Sequence, residues 1–231
     1  RRLQRRRPMT RATTPQRRTP RQARSKKTVE RILNAATKLL AHEGLDGFNT
    51  NRIAQEAGVG VGSVYEYFPG KDGILEPIIN RLANREAETI LDLLSRNEDH
   101  PLETTVWLVV KRLSELYLEH HDLYVALRGV PAFRSSIGTR PSEQQVLGKI
   151  RALLQKNASK LHPIADIELT AFTLFHLVES LTYQTIEQGT KKWSMERSVE
   201  EIVHAALRYI GLTSGPKPTI HSSQNDKVSE D

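Results

Sequence analysis

The chain has 231 residues, no cysteine and a formal charge of +7. It is long enough for one or two domains with a sizeable core, and it excludes disulfides and thiolate metal sites, which suits a reducing cytosol. No run of about 18 apolar residues occurs, so the sequence predicts a cytoplasmic protein with no spanning helix and no membrane partner.

The charge is uneven. Residues 1–27 hold twelve Arg or Lys and no acid, which leaves residues 28–231 with 22 bases against 27 acids, a net −5. A basic arm over 1–24 attracts polyanions, nucleic acid first; its other reading is a solubilising tail. From Thr28 the pattern turns helical, with Val29, Ile32, Leu33, Ala36, Leu39 and Leu40 at three- and four-residue steps and Gly44 as the stop. A second helix is predicted from about Thr50 to Ala57, with Asn49 as N-cap, Phe48 stapling onto Ile53, and Gly58 as its stop. A short helix over Val61 to Tyr67 follows, then a turn at "FPGKD" and a long helix from Lys71 to about Ser95, bent near Pro77. Further helices are expected at about 102–120, 122–128, 142–159, 165–188 and 195–210, with "RGVPAFRSSIGTRP" as the main internal loop and a disordered tail over 213–231. The pattern contains no alternating strands and no internal repeat. The predicted fold is all-α.

Three glycines, at 58, 60 and 62, invite a phosphate-loop reading. A dinucleotide fingerprint needs a strand before G-x-G-x-x-G and a P-loop needs Gly-Lys-Ser/Thr; "NRIAQEAGVGVGS" supplies neither. A helix-turn-helix explains each glycine instead. Gly58 takes the left-handed conformation that ends the second helix, Val59 plugs the core, and Gly60 caps the third helix. Gly62 lies inside that helix, at a cost of about 1 kcal/mol relative to alanine, which makes sense if a partner approaches closely. On a helical wheel Val64 and Phe68 face inward, Gly62, Ser63, Glu66 and Tyr67 face out, and Val61 is the exposed tip. That small, polar outer face suits a major groove.

The stretch "RILNAATKLLAHEGLDGFNTNRIAQEAGVGVGSVYEYFPGKDGIL", Arg31 to Leu75, resembles the DNA-binding domain of TetR-type transcriptional regulators. The resemblance rests on Ile53-Ala54, Ala57-Gly58-Val59, Gly62-Ser63, Tyr65, Tyr67-Phe68 and Lys71 at their spacing. It implies a three-helix head over 25–72 and a larger helical effector-binding and dimerisation domain over 73–212. It also implies that Thr50 and Asn51 contact phosphate, that Val61, Gly62 and Ser63 form the base-reading tip, and that Tyr65, Tyr67 and Lys71 contact the DNA backbone. Two readings stay open: Tyr65 as a core ring and Thr50 as a second cap. Gly60 departs from the serine often found there, and Glu66 brings an acid toward the DNA. Residues 28–75 carry four bases and six acids, a net −2, so the arm, including Arg24 and Lys27, is expected to supply the attraction.

A single helix-turn-helix covers half a site, so a homodimer on a palindromic double-stranded operator is expected. The helix near 165–188 is apolar almost all round and needs two buried fronts, which makes Phe172 and Leu181, with Val199, Ile202, Ala206 and Tyr209 of the last helix, candidates for the dimer interface. Trp107, Tyr117, Tyr124, Phe133, Phe175 and His176 are candidates for an effector pocket, with plain core as their other reading. No metal, cofactor or catalytic constellation is expected. The function implied is that of a repressor released from its operator by a small-molecule effector. Two rivals are a nonspecific nucleic-acid binder acting through the arm and a regulator whose second domain binds a protein.

Overall fold

The structure, a computed structural model, describes residues 20–131, 133, 141–189 and 192–213. It contains α1 (Pro20–Glu43), α2 (Thr50–Ala57), α3 (Val61–Tyr67), α4 (Lys71–Arg96), α5 (Leu102–Glu119) and α6 (His121–Leu127). These are followed by α7 (Pro141–Lys156), a 3₁₀ turn at Ala158–Lys160, α8 (Ile167–Gly189) and α9 (Met195–Tyr209). Among the described residues there is no strand, and no helix is long and apolar enough to cross a membrane.

Two boundaries correct the expectations from sequence. Helix α1 begins at Pro20 rather than Thr28, so the last part of the basic stretch, with Arg24 and Lys27, is helical. The expectations for 1–19, and those for 134–140 and 214–231, fall outside the described residues. Helix α4 is continuous through Pro77.

The helix ends follow local chemistry. The Asn49 side chain accepts from the Arg52 N–H at 3.0 Å, and the Asp166 carboxylate accepts from the Leu169 N–H at 3.0 Å at the start of α8. Each satisfies an orphan donor of a first helical turn.

Packing divides into two cores. The first joins α1, α2 and α3 to the N-terminal half of α4 through Ile32, Leu40, Phe48, Ile53, Val64 and Ile74, and takes in Tyr117, Leu123, Tyr124, Leu127 and Ile186 from α5, α6 and α8. The second lies among the C-terminal half of α4 and α5, α7, α8 and α9, around Val110, Leu154, Ala206 and Ile210. Helix α4 contributes Leu82 and its upstream neighbours to the first core and Ala87, Ile90 and Leu94 to the second.

Candidate nucleic-acid interface and inner cavity

The turn between α2 and α3 is set by one glycine and one arginine. Gly58 has φ 60° and ψ 41°, the left-handed region in which a Cβ is penalised, and its N–H returns to the carbonyls of Ala54 and Gln55. The Arg31 guanidinium of α1 donates to the Ala57 carbonyl at 2.6 Å and the Gly58 carbonyl at 2.9 Å. A Cβ on Gly58 would lie 2.9 Å from that guanidinium. Arg31 thus satisfies carbonyls at the end of α2 and locks the turn onto α1. Sequence reasoning passes over it, because an arginine on the polar side of an amphipathic helix carries no local sign of a partner 26 residues away.

Helix α3 packs inward through Val64, with no exposed surface, and the following Phe68 is also buried. Its first turn faces out: Val61 is 38 % exposed, Gly62 is exposed and Ser63 half-buried. A Cβ on Gly60 or Gly62 would meet no protein atom within 4 Å, so the fold's own packing does not demand a bare backbone at either position. Tyr65 is 56 % exposed, which removes its reading as a core ring. Its hydroxyl lies 3.1 Å from the Thr50 hydroxyl, joining the start of α2 to α3, while the capping role at α2 belongs to Asn49. Tyr67 packs partly against the first core, and its hydroxyl donates to the Ser25 hydroxyl at 3.3 Å, which brings the basic start of α1 beside α3. Asn51, Lys71, Arg24 and Lys27 are exposed.

Two bases that flank this surface are paired with acids of α1. Arg52 of α2 pairs with Glu43, and Arg81 of α4 donates to Glu30 at 2.6 Å and to Asn34 at 3.3 Å. These pairs brace α2 and α4 against α1.

The aromatic pocket residues separate. Tyr117, Tyr124, Phe133 and Tyr183 pack on one another, with ring centroids 4.7 to 6.4 Å apart. Tyr124 is thus buried in the first core, where it also borders a small pocket with Tyr117 and Tyr183, and Phe133 packs against that core. Trp107 lies in the second core under the Lys111 ammonium, 5.2 Å from its ring. The inner cavity lies instead among α4, α5, α7 and α8, with a volume of about 60 Å³ walled by Leu94, Val109, Val110, Leu153 and Leu174. A second chamber shares Ile90, Leu113, Phe175 and Glu179 with it and adds Tyr117, Glu86 and Glu143. Of the six candidates, Phe175 lines both chambers and Tyr117 one. His176 packs on the Phe172 and Phe175 rings, and its Nε2 and Nδ1 lie 3.6 Å from Glu143 and 3.5 Å from Glu179. Burial, together with the charges of Glu86 and Glu179, pushes the Tyr117 phenol well above its ordinary range. Tyr124 is pushed up by burial, and its hydroxyl donates to Glu86.

The expected dimer residues also separate. Val199, Ile202 and Ala206 are no more than 3 % exposed and belong to the second core, and Ile202 also borders a surface pocket beside Leu181 and Trp193; Tyr209 is partly buried against that core. Phe172 and Leu181 are 47 % and 40 % exposed, and Leu169 and Trp193 are exposed as well.

The sequence model described as "Bacterial regulatory proteins, tetR family" matches residues 32–78. The HTH-type transcriptional repressor DrrR1 of Streptomyces coeruleorubidus is 38 % identical over 66 residues, 29 % of this chain and 24 % of that protein. The match thus spans about a quarter of that relative's length. In fold, the chain resembles a TetR-family regulator from Mesorhizobium loti, with TM-score 0.62 and 22 % identity over 80 % of this chain and 97 % of that one. It also resembles the transcriptional regulator FadR from Bacillus subtilis in complex with stearoyl-CoA, with TM-score 0.58 and 18 % identity over 78 % and 98 %. A head matched in sequence and a chain matched in fold agree with the geometry of α2, α3 and their turn: residues 32–78 form a DNA-binding head of the tetR family, on a chain that shares the fold of TetR-type regulators.

Proposed function

We propose that the protein is a cytoplasmic, sequence-specific DNA-binding repressor that acts as a homodimer on a two-fold-symmetric operator and lets go when a small molecule fills the inner cavity. The observation that carries this reading is the first turn of α3, where Val61, Gly62 and Ser63 stand outward with open space above Gly62. Around that tip the Thr50–Tyr65 hydroxyl pair, Asn51, Tyr67 and Lys71 are the backbone contacts, and Arg24 and Lys27 extend the positive edge along α1. Exposed apolar side chains at Leu169, Phe172, Leu181 and Trp193 support pairing through α8 and the approach to α9. The complex of FadR, a neighbour in fold, with stearoyl-CoA supports a ligand in the body of this chain.

The release mechanism follows from α4. Ile90 and Leu94 line the cavity, and Ile74, Ile78 and Ile79 of the same helix lie in the core of the head. A ligand that needs more room between α4 and α8 moves the helix that carries the head, and two heads moved apart no longer meet successive major grooves about 34 Å apart. The ligand shifts this equilibrium only by binding the released state more tightly.

The test is selection of bound duplexes from a randomised pool at physiological salt, using the full chain and a chain lacking residues 1–19, a cut that leaves α1 whole. Recovery of a two-fold-symmetric site by both chains is expected. The shorter chain should show a shallower salt dependence, by about 0.9 in log–log slope for every phosphate that the arm neutralises. The net −2 of residues 28–75 keeps a nonspecific reading in view; binding without enrichment that vanishes with the arm would establish that reading instead.

A further inference from the structure

One acid of the reading surface is left without a partner by the fold. Glu66 is exposed in α3. At about 100° per residue it lies about 200° round the helix from Val64, whose side chain is fully buried, and about 40° from Gly62 one turn earlier. Gly62 and Glu66 therefore form the line of α3 that points most directly away from the core of the head. The hydroxyls that suit phosphate lie on either flank of that line, Tyr65 with Thr50 on one side and Tyr67 with Ser25 on the other. Two acids of α1, Glu30 and Glu43, are paired with Arg81 and Arg52. Glu66, by contrast, has no hydrogen-bond or ion-pair partner among the described residues.

A carboxylate carried into a groove between two rows of phosphates loses water and gains repulsion, unless a donor on the groove floor meets it. The open space above Gly62 lets α3 come close enough for a side chain one turn along to reach that floor. An ionised carboxylate accepts and cannot donate. In the major groove guanine presents only acceptors, and thymine presents an acceptor and a methyl group. Adenine sets an acceptor, N7, beside its amino donor, whereas cytosine presents its amino donor with no acceptor of its own. On the reading of α3 as the helix that enters the major groove, we infer that Glu66 is a specificity-determining residue: its carboxylate accepts from the N4 amino group of a cytosine at one position of each half-site.

The experiment is selection from a randomised duplex pool with the full-length wild type, Glu66→Ala and Glu66→Gln, followed by affinity measurements on the recovered site. The wild type should recover one cytosine per half-site whose replacement by thymine weakens binding about fivefold or more. Glu66→Ala should lose the preference at that position and keep it at the others. Glu66→Gln should move the preference to adenine, because a side-chain amide matches the N6 donor and N7 acceptor together. A purely structural role for Glu66 would not exchange one base for another. Circular-dichroism melting confirms that each variant is folded. Folded variants that recover the wild-type site with every base preference intact, or that bind no duplex, would overturn the inference. A wild type that enriches no site would instead overturn the regulatory reading and take this inference with it, so the two failures are distinguishable.

Discussion

At the scale of single residues, Gly58 and Gly62 of the head have opposite reasons to be glycine. Gly58 is required by the fold: its φ is 60° and a Cβ there would press on the Arg31 guanidinium at 2.9 Å. Gly62 has a helical backbone and empty space where its Cβ would go. Gly58→Ala should therefore destabilise the protein by about 1–2 kcal/mol in denaturant melts. Gly62→Ala should stabilise it by up to about 1 kcal/mol while weakening operator binding. Unchanged operator affinity in Gly62→Ala would mean that nothing approaches that turn. Sequence alone assigns Gly58 its turn, because left-handed stops have a local signature. Arg31 is not legible there, since its partners are backbone carbonyls that only the folded turn brings near. The Thr50–Tyr65 pair is hidden for the same reason.

At the scale of elements, helix existence and type are legible in the sequence and some ends are not. The basic start of α1 lacks apolar residues at helical spacing, so periodicity breaks off at Thr28. Yet Arg, Gln, Ala and Lys are good helix formers, and the nucleated helix behind them lets the chain continue to Pro20. The loop after α7 illustrates a contact that no pattern announces. His162 has Nε2 2.7 Å from the Tyr209 carbonyl oxygen and Nδ1 3.1 Å from that of Pro163. Carbonyls only accept, so both ring nitrogens donate in the protonated ring, and those two bonds raise its pKa. It clips the loop to the C-terminus of α9, beside Gly211, whose φ is 83°. The sign follows from the raised folded value: the contribution is fully present below the unfolded pKa of about 6.5 and is lost as pH rises through the higher folded one. The melting temperature of the wild type should thus exceed that of His162→Gln below about pH 6.5, and the gap should close above it. A gap independent of pH would show that the ring acts by packing alone.

At the scale of the whole molecule, the sequence announces an all-α protein with a reading head on a helical body, but it misleads about much of the body's inner surface. Aromatics do not by themselves distinguish a pocket wall from a core, because rings at helical spacing also satisfy one another, and here Tyr124 and Phe133 meet edge to face at the first core. The carboxylates that do reach the cavity lie on α4, α7 and α8 and converge only when those helices pack. The stripe Val199, Ile202 and Ala206 packs into the second core of the same chain, because amphipathicity reveals that a face is buried, not what buries it. This distinction can be measured. Phe172→Glu with Leu181→Glu should leave a folded monomer in sedimentation and abolish operator binding, with little change in denaturant midpoint. Ile202→Ala should instead lower stability by about 2–5 kcal/mol, as large-to-small changes in a packed core do. A dimer that survives the paired glutamates would place the pairing surface elsewhere.

The core of the head is not made by the head alone: Tyr117, Leu123, Tyr124, Leu127 and Ile186 complete it from the body. The natural sequence boundary near residue 72 is therefore not a seam in the packing. A chimera that joins this reading head to another regulator's sensor at that boundary would inherit a hole where those side chains belong. Exchange of heads between such proteins has to carry the matching surface of α6 and the ends of α5 and α8 along with it, so the DNA-reading unit that can be transplanted is larger than the unit the sequence motif marks out.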